Sequence, residues 1–79
     1  MRHYATNDLA PLPSRRLREA RLRLGLSQYD VAIRLQLRGL PIDQGTICRI
    51  ECGKRGIASF ELAPLAEVLG VSSDWLRGE

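Results

Sequence analysis

Hydrophobic residues in this 79-residue chain recur at helical spacing in several short segments, and residues that begin or end helices separate those segments. Ser14 can cap a first helix that runs from Arg15 to Leu24, and Gly25 suits the left-handed position that ends it. Arg21 borders the apolar stripe of this helix, so its guanidinium is expected to be partly buried beside an acidic group. The stripe itself consists of Leu17, Ala20 and Leu24.

The segment before this helix, residues 1–13, contains Pro11 and Pro13 and has no helical periodicity. It is therefore predicted to be a flexible N-terminal arm, and residues 14–79 are predicted to form the folded domain. His3 and Tyr4 lie in the arm and are assigned no role.

A second helix is predicted from Ser27 to about Arg38, where Gly39 ends it. Pro41 cannot extend that helix, so the chain must turn at this point. Asp43 then offers a carboxylate to the unpaired N–H groups at the start of a third helix. The apolar positions of the second helix are Tyr29, Val31, Ala32 and Leu35.

The third helix is predicted from Gln44 to Cys52, and Gly53 ends it. Only Ile47 and Ile50 of this helix are expected to face the core, with Glu51 beside them. Such a narrow apolar stripe leaves most of the helix surface facing outward. The side opposite the core holds Gly45, Cys48, Arg49 and Cys52.

The remaining segment begins with a basic loop, Lys54-Arg55-Gly56, and continues into a fourth helix after Ser59. Gly70 ends that helix, and Ser72 caps a short final turn in which Trp75 and Leu76 can close over the core. The fold class predicted from the whole pattern is all-α. The inward positions of the fourth helix are Leu62, Leu65, Ala66 and Leu69.

Composition adds a modest preference for an anionic partner. The formal net charge is +3, from 12 basic and 9 acidic residues, and all but one of the basic residues are arginine, whose planar fork binds phosphate and guanine edges. No run of about 18 apolar residues is present, so no membrane segment is predicted and a cytoplasmic location is expected. Cys48 and Cys52 have no second ligand pair, which favours thiols over a zinc site.

The sequence contains no arrangement of residues typical of a catalytic site, such as paired inward carboxylates or a Ser-His-Asp set. We therefore expect no enzyme activity, no cofactor, no metal and no small-molecule ligand. Two helices joined by a tight connection, the second of which exposes a polar, partly basic face, are instead typical of a helix-turn-helix, whose second helix reads the major groove of DNA.

Several motifs occur in an order that resembles the phage repressor and Cro type of helix-turn-helix family, which includes the xenobiotic-response-element-like regulators. The resemblance covers Ser14 to Leu76 and implies a lambda-repressor-like bundle of five helices. It also implies sequence-specific binding to double-stranded DNA. The motifs are Gly25-Leu26-Ser27-Gln28, Val31-Ala32, Thr46-Ile47-Cys48-Arg49-Ile50-Glu51, Gly53-Lys54-Arg55 and Leu65-Ala66-Glu67-Val68-Leu69-Gly70-Val71-Ser72-Ser73-Asp74-Trp75-Leu76.

The resemblance also implies roles for individual residues. Arg21 and Glu51 correspond to a structural ion pair, and Gln28 corresponds to a phosphate contact at a helix N-terminus. Lys54 and Arg55 correspond to further contacts with the DNA backbone. The positions that read bases correspond to Gln44, Gly45, Thr46 and Arg49.

Two features depart from this family. The connection between the reading helices, from Gln36 to Asp43, is longer than the usual 3 to 4 residues of the motif. Gly45 has no side chain where a polar one often reads a base. These features predict a shifted docking angle for the third helix, and either close backbone approach to DNA or reduced specificity at Gly45.

The resulting hypothesis is a regulator, most simply a repressor, that binds a two-fold symmetric operator as a homodimer. A protein-interaction module such as an antitoxin or adaptor remains an alternative, since a fold does not dictate its function. A third possibility is a redox or metal sensor that uses Cys48 and Cys52, although these thiols are expected mainly to fill space.

Overall fold

Five α-helices follow one another in residues 11–79, the part of the chain that the computed structural model describes. No strand occurs in this range, and the predicted all-α class is confirmed. Residues 1–10 of the predicted arm lie outside the described range. The helices are α1 (Leu12–Arg23), α2 (Gln28–Gln36), α3 (Gln44–Glu51), α4 (Ser59–Leu69) and α5 (Ser73–Arg77).

Helix α1 begins three residues before the predicted start. Pro11 is its N-cap, and Pro13 lies in the first turn, where a missing N–H group costs no helical hydrogen bond. Ser14 is therefore not a cap, and it is buried inside the helix. The described end of the predicted arm, from Leu12, belongs to the folded domain.

The end of α1 also corrects one core assignment. Leu24 was expected to face inward, but it is the C-cap residue and is 49% exposed. Gly25 adopts a left-handed φ of 71°, which turns the chain so that the Leu26 N–H donates to the Arg21 carbonyl at 3.0 Å. Leu26, and not Leu24, then packs against the core.

Helix α2 begins with a capping box, in which Ser27 and Asp30 each accept a hydrogen bond from the other's backbone N–H at 2.9 Å. It ends at Gln36, two residues earlier than predicted, and Gly39 closes the turn with a left-handed φ of 88°. Tyr29 is not a core residue, since it lies in the first turn on the outer side and is 59% exposed.

The long connection between α2 and α3 takes part in the core. Ile42 is buried within it, and the Gln36 side chain donates to the Ile42 carbonyl at 3.0 Å. Asp43 then caps α3 as predicted, accepting a hydrogen bond from the Thr46 N–H at 2.8 Å. These contacts hold the start of α3 in place despite the length of the connection.

The core lies where all five helices meet. Helix α1 packs against α3, α4 and α5, while α2 packs against α3 and α4. Trp75 lies at the edge of this core, with the guanidinium groups of Arg16 and Arg23 at 4.9 Å and 5.6 Å from its ring centroid. The largest fully buried side chains are Leu17, Val31, Leu35, Ile47, Ile50, Leu65, Leu69 and Leu76.

A buried ion pair joins α1 to α3. The Arg21 guanidinium donates to both carboxylate oxygens of Glu51, at 2.6 Å and 2.9 Å, and its remaining terminal nitrogen donates to the Leu26 carbonyl at 2.9 Å. Arg21 is 8% exposed and Glu51 is 5% exposed. Because the contact is bidentate and largely desolvated, it fixes the rotation of α3 relative to α1.

We predict that Arg21→Met lowers the free energy of unfolding by about 3 to 5 kcal/mol, because it leaves the Glu51 carboxylate buried without a cation. The double variant Arg21→Met/Glu51→Met should recover most of this loss, since no unpaired charge remains. Urea unfolding of Arg21→Met, Glu51→Met and the double variant measures the coupling free energy between the two side chains. A single Arg21→Met variant as stable as the wild type would contradict the structural role of the pair.

Candidate nucleic-acid interface

The outward face of α3 carries the four residues predicted to read bases. Ile47 and Ile50 anchor the opposite face and are fully buried. Gln44, Gly45 and Arg49 are exposed, and Thr46 is half-buried. The helix therefore presents a polar surface while its other face is held by the core.

Arg49 lies back along α3 toward the helix N-terminus. One terminal nitrogen of its guanidinium donates to the Thr46 hydroxyl at 3.0 Å. A Cβ atom at Gly45 would lie 3.3 Å from the other terminal nitrogen, so the missing side chain leaves space for the guanidinium. Thr46 and Arg49 form one hydrogen-bonded unit, and the guanidinium has further N–H donors that can point outward.

Gln28 occupies the first position of α2, and its side chain is tied to the buried ion pair. Its amide nitrogen donates to a Glu51 carboxylate oxygen at 3.1 Å. An amide group has two N–H bonds, so the second remains able to donate to a phosphate. Glu51 thus joins α1, α2 and α3 through Arg21 and Gln28, with the Arg18 guanidinium 4.0 Å away.

The two basic residues after α3 have different environments. Lys54 is exposed on the loop, where its backbone N–H donates to the Arg49 carbonyl at 2.9 Å. Arg55 turns to Glu61 of α4 instead, and its terminal nitrogens donate to both carboxylate oxygens at 2.9 Å and 2.7 Å. The structure therefore gives Arg55 a structural contact, and its phosphate contact stays a prediction.

Glu61 was not singled out from the sequence, although its position was informative. It is buried at the third position of α4, where it also accepts a hydrogen bond from the Ala58 N–H at 2.9 Å. The hydrogen bonds from Arg55 keep the pKa of this carboxyl below its ordinary value, although burial opposes them. A glutamate three residues after the N-cap, here Ala58, is a capping signal, and this one also holds the basic loop.

Asp43 sets the charge at the leading end of α3. The hydrogen bond from the Thr46 N–H lowers the pKa of its carboxyl, so the carboxylate is ionised at neutral pH. Asp43 therefore places a negative charge beside the first turn of the exposed helix, where it stabilises the helix dipole.

The two cysteines lie beside each other, with their sulfur atoms 4.0 Å apart, but they are not both on the outward face as expected. Cys48 is half-buried, and Cys52 is buried at the C-cap of α3, where the chain reverses at Gly53. A helical wheel placed Cys52 outward because it takes no account of the loop that follows. Burial is the main factor that raises the pKa of the Cys52 thiol, whereas a reactive sensor thiol usually has a lowered pKa.

Comparison with protein families found one model, described as a helix-turn-helix domain, that matches residues 14–78. Comparison with curated proteins and with solved structures found no match. Within residues 11–79, none of the helices combines the length and apolar character needed to cross a bilayer. The family match covers all five helices except the first two residues of α1.

We predict that Gly45→Ala raises the free energy of unfolding by about 0.5 to 1 kcal/mol, because alanine loses less backbone entropy in a helix. The new methyl group would lie 3.3 Å from the end of the flexible Arg49 side chain, which can move aside, and 3.5 Å from an Asp43 carboxylate oxygen, which is an ordinary van der Waals contact. Urea unfolding measures the change. Gly53→Ala is the control and should be destabilising, since its φ of 78° is strained for alanine. If Gly45→Ala is instead less stable than the wild type, the Arg49 side chain cannot move aside for the methyl group.

We predict that Glu61→Gln reduces stability at neutral pH and that the reduction disappears in acid. The Glu61 pKa is lowered by folding, so its contribution is present above the ordinary glutamate pKa of about 4.3 and is lost as pH falls through the folded value. Urea unfolding at a series of pH values measures the difference from the wild type. Glu67→Gln is the control, because that carboxylate is mostly exposed. An equal loss of stability at neutral and acidic pH would show that the ionised Glu61 carboxylate is not the source of the stabilisation.

Proposed function

This chain belongs to the helix-turn-helix domain family, and on that basis we propose that it is a transcriptional regulator that binds a specific sequence of double-stranded DNA. In this proposal α3 enters the major groove and reads base edges, and the protein acts by binding and not by catalysis. The observation that carries the proposal is that α3 has one buried apolar face and one exposed polar face. One face is locked in the core, and the other presents Arg49 and the polar residues of its first turn.

Base recognition is assigned chiefly to Arg49. A guanidinium can donate two parallel hydrogen bonds to the O6 and N7 atoms of guanine, and the Thr46 hydroxyl orients this guanidinium. Gln44 is exposed at the leading end of α3, where an amide can pair with adenine. The absent side chain at Gly45 lets the helix backbone approach the base edges closely.

Gln28 and Lys54 are proposed to contact the DNA backbone on the two sides of α3. The Gln28 amide is oriented by Glu51, so a phosphate contact at the start of α2 is coupled to the position of α3. Lys54 carries an exposed positive charge just after α3 and adds affinity without sequence preference. Arg55 contributes indirectly by tying this loop to Glu61.

The proposed assembly is a homodimer on a two-fold symmetric operator, with half-sites about 34 Å apart on one face of the duplex. Leu22, which is 50% exposed on α1, is a candidate for the subunit contact. Occupation of a promoter by this dimer would repress transcription by excluding the polymerase.

We predict that Arg49→Ala relaxes specificity at one base pair, with a loss of about 1 to 3 kcal/mol in binding free energy. Lys54→Ala should instead weaken binding to all sequences alike and lower the slope of log K against log salt by about 1. The measurement begins with operators selected from a random DNA pool. Titrations of each variant at several salt concentrations then follow.

The matched control for these variants is Arg38→Ala. Arg38 is an exposed arginine whose guanidinium is already paired with Glu67 of α4, at 2.8 Å. Its removal should leave the selected sequence and the salt slope nearly unchanged. Micromolar binding of the wild type without sequence preference would overturn the proposal and favour a protein-interaction module with the same fold.

A further inference from the structure

Arg18 of α1 lies beside the buried ion pair without being hydrogen-bonded to it. Its Nε atom is 4.0 Å from the Oε1 atom of Glu51, which is beyond hydrogen-bond distance. That oxygen already accepts hydrogen bonds from Arg21 at 2.9 Å and from Gln28 at 3.1 Å. The other carboxylate oxygen accepts from Arg21 at 2.6 Å. The carboxylate is therefore satisfied without Arg18, whose side chain is 40% exposed.

The charges around Glu51 do not cancel. Arg21 and Glu51 neutralise each other, and Arg18 adds one further positive charge beside them. Among residues 11–79, Arg18 has only this long ion pair, and its guanidinium N–H groups have no hydrogen-bond acceptor. A partly covered guanidinium with unused donors favours an anionic group from outside the chain, and its planar fork suits the oxygens of a phosphate.

Arg18 and Gln28 are close enough to donate to the same phosphate. The Arg18 Nε and Gln28 Nε2 atoms lie 4.0 Å and 3.1 Å from one carboxylate oxygen, so they are at most about 7 Å apart. Hydrogen bonds of about 2.7 to 2.9 Å to two oxygens of one phosphate span up to roughly 8 Å between the donor nitrogens. The second N–H of the Gln28 amide is available for such a bond.

The neighbouring carboxylates do not compete for this site. Asp30, the one acidic residue of α2, lies about 200° around the helix from Gln28. Its carboxylate accepts a hydrogen bond from the Ser27 N–H at 2.9 Å. On α1, Glu19 is already paired with Arg23 at 2.6 Å. The positive charge at the junction of α1 and α2 is therefore left for an external anion.

We propose, on the basis of the proposed DNA-binding function, that Arg18 and Gln28 together hold one phosphate of the DNA backbone. This assignment makes α1 part of the DNA-binding surface. Both side chains lie against the carboxylate of Glu51 at the end of α3. The phosphate is therefore held at a fixed place relative to the helix that reads the bases.

The first test measures the affinity of the full chain for the operator selected with the wild type, at several salt concentrations. Arg18→Ala should lower the slope of log K against log salt by about 0.9, so that roughly 3.5-fold less affinity is lost between about 50 and 200 mM salt. The preferred sequence should not change, since a phosphate contact carries no base information. Arg18→Lys keeps the charge and should keep the slope.

The matched control for this test is Arg34→Ala. Arg34 is an exposed arginine on another side of α2, about 240° around the helix from Gln28. Its removal changes the net charge by the same amount and should leave the slope nearly unchanged. An equal fall in slope for Arg34→Ala and Arg18→Ala would show a general effect of net charge and would overturn the contact at Arg18.

The second test determines whether the two side chains share one phosphate. Replacing one backbone phosphate of the operator at a time by a neutral methylphosphonate removes a single negative charge. The wild type should lose affinity at the shared position, and both Arg18→Ala and Gln28→Ala should be insensitive to replacement at that position. Insensitivity of the two variants at different positions would overturn the shared site.

Urea unfolding of each variant checks that the bundle remains folded. If Gln28→Ala unfolds because Glu51 loses a donor, Arg18→Ala must still become insensitive to methylphosphonate at a single position that weakens the wild type. Absence of DNA binding by the wild type would overturn the proposed function and the phosphate site with it. Specific binding by the wild type, together with an unchanged salt slope for Arg18→Ala, would overturn the phosphate site alone.

Discussion

The arrangement of the exposed helix depends on the buried carboxylate of Glu51. Removing a carboxylate from water is costly unless its hydrogen bonds are satisfied, and here Arg21 and Gln28 together satisfy them. The three residues come from three helices. Any rotation of α3 would break one of these desolvated hydrogen bonds and leave the carboxylate unsatisfied. The ion pair therefore determines which face of α3 is exposed to solvent.

A second ion pair applies the same constraint to the loop that follows α3. The carboxylate of Glu61 is satisfied by Arg55 and by the Ala58 N–H, so the loop is tied to the first turn of α4. With Arg55 held in this way, Lys54 is left as the basic side chain that faces solvent on the loop. Two buried carboxylates thus set the geometry of the polar surface on both sides of Arg49.

Local sequence signals predicted the helices well because their causes are local. Ser27 and Asp43 cap helices within three residues of themselves, and Gly25 adopts the left-handed conformation expected after a helix. Two assignments at helix ends failed for a different reason. Leu24 and Cys52 lie where the chain reverses direction, so their exposure depends on the path of the following loop, which helical periodicity does not describe.

The sequence by itself determined the helix count, the caps of α2, α3 and α5, and the need for an acidic group beside Arg21, while the family resemblance implied that this group is Glu51. These follow from interactions over a few residues and from the need to neutralise a charge that borders the core. Only the tertiary structure decided that Arg55 is held by Glu61, that Gly45 makes room for Arg49 and that the two sulfurs of α3 lie 4.0 Å apart. Such outcomes depend on side-chain directions and loop paths, where several geometries satisfy the same sequence pattern until packing selects one.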